Sequence, residues 1–378
     1  MENGRVLRIL HCPDITLGNP YTGLPLQKCK ECYQRFPEVF DRLIRYIADE
    51  KIDLVLLPGN LCSQYLGSED ARRLISAFSK LPACRFVIAP GDCDPYSSAS
   101  LYASGRLPAN VSVFCSSVPE ILDFPELSVR IYGWAYCDRR ISPSPMAAIR
   151  ADSPDTLNLI CGCCETDSPA SFCSATPEEI EQTGADYAAL GHGAATPVLR
   201  AGKTLFAHAG FLEGKSFEEI GPGGAIRLDV TKENDSFRIE SRALSFSRHR
   251  YEILSIDITG IPDTEQLAGI LQEKIAEKGY DENTSLRVIL TGELSPTVFL
   301  RPGGEIQHLF TLNSIDFFDR TLPTYQADDF YRDMTVRGEL FRTLESRFEV
   351  VGVDERTAVV RAFRIGLSAL DSKDIHTV

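Results

Sequence analysis

From the N-terminus to Leu244, short apolar runs alternate with stretches in which apolar residues recur at helical spacing. Val6–Leu10, Leu54–Leu57, Phe86–Ala89, Val129–Tyr132, Leu157–Ile160 and Tyr187–Leu190 have the length of strands and lie between turn-rich segments, which predicts short buried strands. Between them, Val39, Leu43, Ile44 and Ile47 fall on one helical face, and Leu74, Ile75, Phe78 and Leu81 fall on another. The alternation predicts a layered α/β domain with helices covering the sheet. From Thr204 onward the pattern changes to β-runs separated by Gly-rich turns. The polar segment Ser245–Arg250 reads as a boundary, with Arg248, His249 and Arg250 expected in a solvated linker. Beyond it, Ile253–Ile258 predicts a strand, Thr264–Lys278 a helix, Leu286–Leu290 a strand and Asp328–Glu345 a charged helix. A chain of 378 residues is long for one core. The expected division is an α/β domain over 1–247 and a smaller α+β domain over 248–378.

Composition narrows the classes. The hydrophobic fraction of 43% and charged fraction of 24% are those of a globular protein. No window approaches the ~18 consecutive apolar residues of a membrane span. No apolar signal-peptide region follows Met1, so the expected compartment is the cytoplasm, with no membrane partner. The net charge of -14 counts against tight binding of nucleic acid by the isolated chain, because phosphate neutralisation supplies most non-specific affinity. All twelve cysteines lie between Cys12 and Cys173. Cys29 and Cys32 form a CxxC, and Cys161, Cys163 and Cys164 form a second cluster. They read as buried thiols that pack like small hydrophobes, or as two halves of a structural zinc site needing about four ligands.

The strand ends carry the chemistry. In open α/β sheets, ligands gather on the loops that follow the carboxyl ends of strands. Those loops are His11-Cys12-Pro13-Asp14-Ile15-Thr16-Leu17-Gly18, Pro58-Gly59-Asn60-Leu61 and Pro90-Gly91-Asp92-Cys93-Asp94-Pro95, followed by Cys161-Gly162 and Leu190-Gly191-His192-Gly193-Ala194. Their order and spacing resemble the calcineurin-like metallophosphoesterases, whose motifs run D-x-H, G-D, G-N-H-D/E, H and G-H-x-H. The opening Arg8-Ile9-Leu10-His11 with Asp14 and Leu17-Gly18, the run Ala189-Leu190-Gly191-His192 and the stretch Ala209–Gly221 resemble the SbcD-like DNA-repair exonuclease branch. The resemblance covers most of the chain and implies a four-layer α-β-β-α metallophosphoesterase sandwich with a smaller C-terminal α+β capping domain.

Carried over residue by residue, the resemblance places the first metal of the family's pair on Asp14, Thr16, Asn60 and Ala194, and the second on Asn60, Asp92, Cys161 and His192. Thr16 and Ala194 are lost ligand positions, Asn60 is a neutral replacement for a bridging carboxylate, and Cys93 stands where the family has its catalytic histidine. A thiol of pKa ~8.5 is a poor proton donor to a leaving alkoxide. Two-metal hydrolysis needs ions about 3.5–4 Å apart that clamp both reacting oxygens. The expected function is therefore a catalytically impaired pseudo-nuclease that serves as a binding or scaffold subunit in DNA repair or processing. The alternative is a divergent exonuclease or phosphodiesterase using one zinc, iron or manganese ion at Asn60, Asp92, Cys161 and His192. The resemblance further implies an SbcC-like coiled-coil ATPase, DNA or a second copy of the chain as partner. Met334, Val336, Leu340, Phe341 and Leu344 form an apolar stripe suited either to docking such an ATPase or to packing within the smaller domain. Cys93, Cys161, Cys163 and Cys164 also fit a thiol redox sensor wherever their surroundings favour thiolate. His11 and His208 read as hydrogen-bonded structural histidines.

Overall fold

The computed structural model describes residues 5–370, apart from 139, 142–143, 152, 154, 167–172, 234–235, 295–305 and 324–326. The chain divides into two compact units, Met1–Tyr251 and Glu252–Val378.

In the first unit, strands that are apolar on both faces become the centres of two sheets, since only a strand covered on both sides can bury such a run. β1 (Leu7–His11), β2 (Leu54–Leu57), β3 (Arg85–Ile88) and β4 (Val111–Val113) run parallel in one sheet. The second sheet is built on β5 (Glu120–Phe124), β6 (Val129–Gly133), β7 (Leu157–Cys163), β8 (Tyr187–Gly191), β9 (Leu199–Ala201) and β10 (Thr204–His208), in the order β5-β6-β7-β8-β10-β9. β11 (Gly224–Glu233) and β12 (Ser236–Ser245) return to the first sheet as an antiparallel pair, giving the order β12-β11-β1-β2-β3-β4.

The inner faces of the two sheets share one core. Leu7, Ile9, Leu54, Leu56, Val87 and Leu228 of the first sheet pack with Val129, Ile131, Leu157, Leu159, Tyr187 and Ala207 of the second. Helices α1 (Leu26–Asp49) and α2 (Ser68–Ser79) cover the outside of the first sheet. Phe78 of α2 lies over Phe86 with ring centroids 4.3 Å apart, and Arg227 of β11 reaches Glu50 of α1 at 2.5 Å. On the outside of the second sheet, Ile180 of α3 (Pro177–Thr183) packs with Ile160, Ala188 and Phe206. Thr176 and Glu179 close a reciprocal capping box that fixes where α3 begins. The result is the expected four-layer α/β sandwich.

The expected solvated linker at Arg248–Arg250 is instead held inside the first unit. Glu213 accepts hydrogen bonds from Tyr21 Oη at 2.6 Å and from the backbone N–H of Arg248 and His249 at 2.6 and 3.0 Å. His249 is buried, edge-on to the Tyr21 and Tyr251 rings. A buried carboxylate with three donors fixes a segment that polar composition alone reads as free.

The second unit has its own core, in which Leu267 and Leu271 of α4 (Thr264–Lys278) pack with Leu286, Val288 and Leu290 of β14 (Thr284–Thr291). β14 lies between β13 (Arg250–Asp257) and β16 (Ser314–Asp319), and a short β15 (Glu293–Leu294) pairs with β17 (Leu322–Pro323). Asp263 caps α4 by accepting from Gln266 N, and Gly279 ends it in the left-handed conformation. The single helix expected over Asp328–Glu345 is two, α5 (Ala327–Tyr331) and α6 (Val336–Val350), followed by α7 (Val353–Leu370). The break arises because Asp333 accepts from Thr335 N and Thr335 then caps α6. The apolar stripe is divided accordingly. Phe341 stacks on Phe330 and meets Phe363 of α7, whereas Met334 and Val336 are 90% and 69% exposed.

Candidate active-site crevice

The two parallel sets of strands end on the same side, and the loops after β1, β2, β3, β7 and β8 meet there. The closeness of their backbones is set by glycine. A Cβ at Gly191 would lie 2.0 Å from the carbonyl oxygen of Pro58, so the end of β8 can approach the end of β2 only without a side chain. A Cβ at Gly91 would lie 2.4 Å from Asn60 Oδ1. Thr16, Asn60 and His192 all adopt left-handed backbone, with φ of 46°, 48° and 67°. That conformation is uncommon outside glycine and unusual for a β-branched residue such as threonine.

Asp14, Asn60, Asp92 and His192 are brought together. Asn60 Nδ2 donates to Asp14 Oδ2 at 2.8 Å, and its Oδ1 accepts from Cys93 N at 3.1 Å. That orientation is dictated by its neighbours, since a carboxylate needs a donor and a backbone N–H an acceptor. Asp14 Oδ1 faces the backbone N–H of His192 at 3.4 Å. His192 Nε2 lies 3.3 Å from Asp92 Oδ2, and its Nδ1 lies 2.8 Å from Glu165 Oε1.

Charges follow from this arrangement. The hydrogen bond to Asp92 outweighs burial and lifts the His192 imidazole to about 9, with the charges of Asp92, Asp14 and Glu165 adding to it. Burial pushes Asp92 upward, but the His192 hydrogen bond and charge, with the Asn60 amide, hold it below the usual carboxylate value. Burial raises Asp14 to about 7 against the opposing Asn60 hydrogen bond. The Cys93 thiol, partly desolvated and beside the charges of Asp92 and Asp14, is pushed up to about 12. At neutral pH the crevice therefore presents an imidazolium between two carboxylates, and a protonated thiol at the family's acid position.

Cys161 is not brought to this cluster. It is fully buried in the core between the sheets, where burial raises its thiol strongly. Cys163, two residues on and on the same face of β7, lies with its Sγ 4.0 Å from Asp92 Oδ1. Thr16 Oγ1 is 2.9 Å from the ammonium of Lys215, which also donates to the Ile15 and Thr16 carbonyls. Burial lowers Lys215 to about 7, and its Nζ also sits 4.2 Å from the Phe36 ring centroid. Ala194 is exposed and supplies no donor.

Three contributors escaped the sequence-level selection, Glu165, Lys215 and the structural role of Asp94, while Cys163 was singled out only within the cysteine cluster. Asp94 is buried and accepts from Gly91 N, Asn60 N, Cys62 N and Tyr102 Oη, tying the second and third loops together. Its place directly after Asp92-Cys93 is the only sequence signal for that role. His11 pins the sheets to each other, with Nδ1 2.9 Å from Tyr187 Oη and Nε2 3.2 Å from Leu190 O. His208 reaches Cys164 O at 2.9 Å.

The donors present do not fit a pair of dications. Both ends of the Asn60 amide are engaged by protein groups, the Thr16 hydroxyl faces a lysine, and Ala194 offers no ligating atom. Among the described residues, no group of three or more His, Cys, Asp or Glu side chains is arranged to hold a metal ion. Beside the cluster, the crevice opens into a volume of about 750 Å³ lined by Thr16, Gln64, Tyr65, Asp92, Cys93 and Arg140 among others. Among the described residues, no helix is long and apolar enough to cross a membrane.

Two facing six-stranded sheets with a crevice at their strand ends define a layered α/β sandwich. The chain is 24% identical over 316 residues to the uncharacterized metallophosphoesterase YhaO of Bacillus subtilis (strain 168), covering 79% of this chain and 75% of that protein. This likeness supports the metallophosphoesterase superfamily as the wider group. No family model matches the chain. Among solved structures, Vacuolar Protein Sorting 29 from Cryptosporidium parvum aligns with a TM-score of 0.30 and 15% identity, over 64% of this chain and 98% of that one.

Proposed function

We propose that this chain is an SbcD-like metallophosphoesterase-fold protein that has lost two-metal hydrolysis and serves as a binding or scaffold subunit in DNA processing. The observation that carries the reading is the Asn60 amide, which joins Asp14 to the Cys93 backbone where a bridging carboxylate would have to hold two cations. A neutral amide with both ends engaged supplies no shared anionic oxygen, and dinuclear catalysis depends on one. The crevice instead offers the His192 imidazolium and a protein surface for recognition. The partner in this reading is an SbcC-like coiled-coil ATPase, with Met334 and Val336 exposed for contact.

The test is elemental analysis of protein purified without chelator, together with cleavage of linear duplex DNA and of an aryl phosphodiester in manganese. The reading expects less than ~0.2 equivalents of any transition metal and no manganese-stimulated cleavage. Manganese-dependent cleavage that disappears in Asp92→Ala would overturn it. It would favour the alternative, a divergent exonuclease using one zinc, iron or manganese ion. The closeness of Asp92, His192 and Cys163 is the feature that supports that alternative.

A further inference from the structure

The hairpin that closes the first sheet leaves one long strand edge unpaired. β12 is ten residues long, against about 5–6 for a usual strand. It pairs with β11 in one unbroken antiparallel register, from Gly224↔Ser245 to Glu233↔Ser236, with no bulge and no proline along it. It is the last strand of its sheet, and among the described residues no main-chain hydrogen bond links residues 237–244 to anything but β11. Proteins ordinarily blunt such an edge with a proline, a bulge or a covering element, because its free N–H and C=O groups are a template for another strand. The core also runs out here. Ile226 and Leu228 of β11 are buried, whereas Ala243 and Ser241, directly opposite them on the same face, are exposed.

The charges on the other face narrow what the edge fits. Residues directly opposite in an antiparallel pair share a face, and like charges there repel. Within the hairpin, Glu240 lies opposite Asp229 and Arg242 lies opposite Arg227. Glu240 is paired with Arg238 of its own strand at 2.7 Å, with the two side chains 64% and 60% exposed, which makes a weak contact. Arg242 reaches the Tyr46 hydroxyl at 3.3 Å, and among the described residues it meets no carboxylate. Both side chains therefore stand beside a like charge on the β11 side and an open edge on the other.

We propose that β12 pairs antiparallel with β12 of a second copy of this chain, about a two-fold axis at Ser241. That register opposes Glu240 to Arg242 of the second copy, and by symmetry does so twice. It also sets Ile239 against Ala243 and Phe237 against Ser245, so that residues 237–245 of each strand pair over a length of about 30 Å. Centring the pair on Glu240 or Arg242 brings like charges face to face. Centring it on Ile239 leaves Arg242 opposite a serine and pairs a shorter stretch. The two first sheets become one continuous sheet. Because β1 and β12 both run antiparallel to β11, while the two β12 strands run antiparallel to each other, the two crevices open at opposite ends of the joined sheet. The pairing is independent of whether the crevice hydrolyses anything and of the ATPase partner.

The experiment is sedimentation velocity of the full-length chain over about 1–100 μM, where a monomer–dimer equilibrium is expected. Glu240→Arg sets an arginine opposite Arg242 of the second copy and should weaken dimerisation roughly tenfold or more. Within the hairpin the same substitution faces Asp229, so the melting temperature should hold or rise. Arg242→Glu behaves likewise, facing Arg227 at home and Glu240 across the interface. Combining the two restores opposite charges and should return the dimer, which a purely structural role for either residue would not do. The register is read separately with Ser241→Cys under mild oxidation and mass-spectrometric mapping. Residue 241 should join residue 241 of the second copy, since opposed Cα atoms lie about 4.5–5.5 Å apart and a disulfide spans that gap. Ala243→Cys should not join to itself. If a charge variant fails to fold, the cysteine map decides alone. A chain that stays monomeric over that range, a dimer unmoved by the single charge swaps or not recovered by the double one, or self-joining at Ala243→Cys in place of Ser241→Cys overturns the proposal.

Discussion

Replacing Asp94 by alanine takes one acceptor away from four donors, the backbone N–H of Asn60, Gly91 and Cys62 and the hydroxyl of Tyr102. Each buried donor left without a partner costs about 1–3 kcal/mol. Against that stands the relief of a buried charge. Burial lifts the Asp94 carboxyl from 3.8 to about 6 even with all four hydrogen bonds in place, a burden of about 3 kcal/mol when it is ionised at neutral pH. The net expectation is a loss of about 2–4 kcal/mol, smaller than the raw sum because water can enter the space left by the side chain. Asp94→Asn should cost about 1–2 kcal/mol, because Tyr102 can turn its hydroxyl to accept and only Cys62 N–H then faces a donor. Urea unfolding followed by fluorescence of Trp134, the only tryptophan and fully buried in the first unit, reads this directly. With a slope of about 1–3 kcal/mol per molar, the alanine midpoint should fall by roughly 1 M or more. A shift below about 0.3 M would mean that Asp94 does not hold the two loops. The pH dependence has a definite sign. The folded carboxyl takes up its proton at higher pH than the unfolded one, so this contribution is fully present below 3.8 and is lost as pH rises to about 6. Asp94→Asn should remove that part of the slope and leave other groups, Asp14 among them, to supply the rest.

Three further expectations follow from the crevice. Gly191→Ala puts a Cβ 2.0 Å from the Pro58 carbonyl oxygen, so the strand ends must part, and a thermal melt should show a loss of about 2 kcal/mol or more; an unchanged melting temperature would show that the loops yield freely. Asp92→Asn removes the largest influence raising His192, whose imidazole should drop from about 9 by roughly a unit or more in an NMR titration. A His192 value that stays near 9 would assign the effect to Glu165 and Asp14 instead. Phe341→Ala removes a ring stacked on Phe330 and packed edge-on against Phe363, and should destabilise the second unit by about 2–4 kcal/mol, read by hydrogen exchange of α6; unaltered protection there would refute the packing argument.

The strand ends were legible because each follows a run that only a buried strand explains, and the structure brings Asp14, Asn60, Asp92 and His192 from four of them together. Which cysteine of β7 faces the crevice was not legible. All seven residues of that strand are buried, so no alternation marks where the core stops, and the strand runs on to Cys163. Glu165 and Lys215 reach the site through tertiary contacts from segments with no periodic signal. The Arg248–Arg250 segment misled for a related reason, since its polarity is answered by Glu213, distant in sequence. The break after Tyr331 depends on a local contest between side-chain capping and helix propagation, which Asp333 and Thr335 win.

The left-handed backbone at Thr16 and Asn60 bears on how easily hydrolysis could be installed. Histidine and aspartate tolerate that region better than threonine and about as well as asparagine. Introducing Thr16→His and Asn60→Asp would therefore ask the main chain at those two positions to adopt nothing new. Two-ion catalysis would still need ligands in place of Ala194 and Cys161 and an acid in place of Cys93.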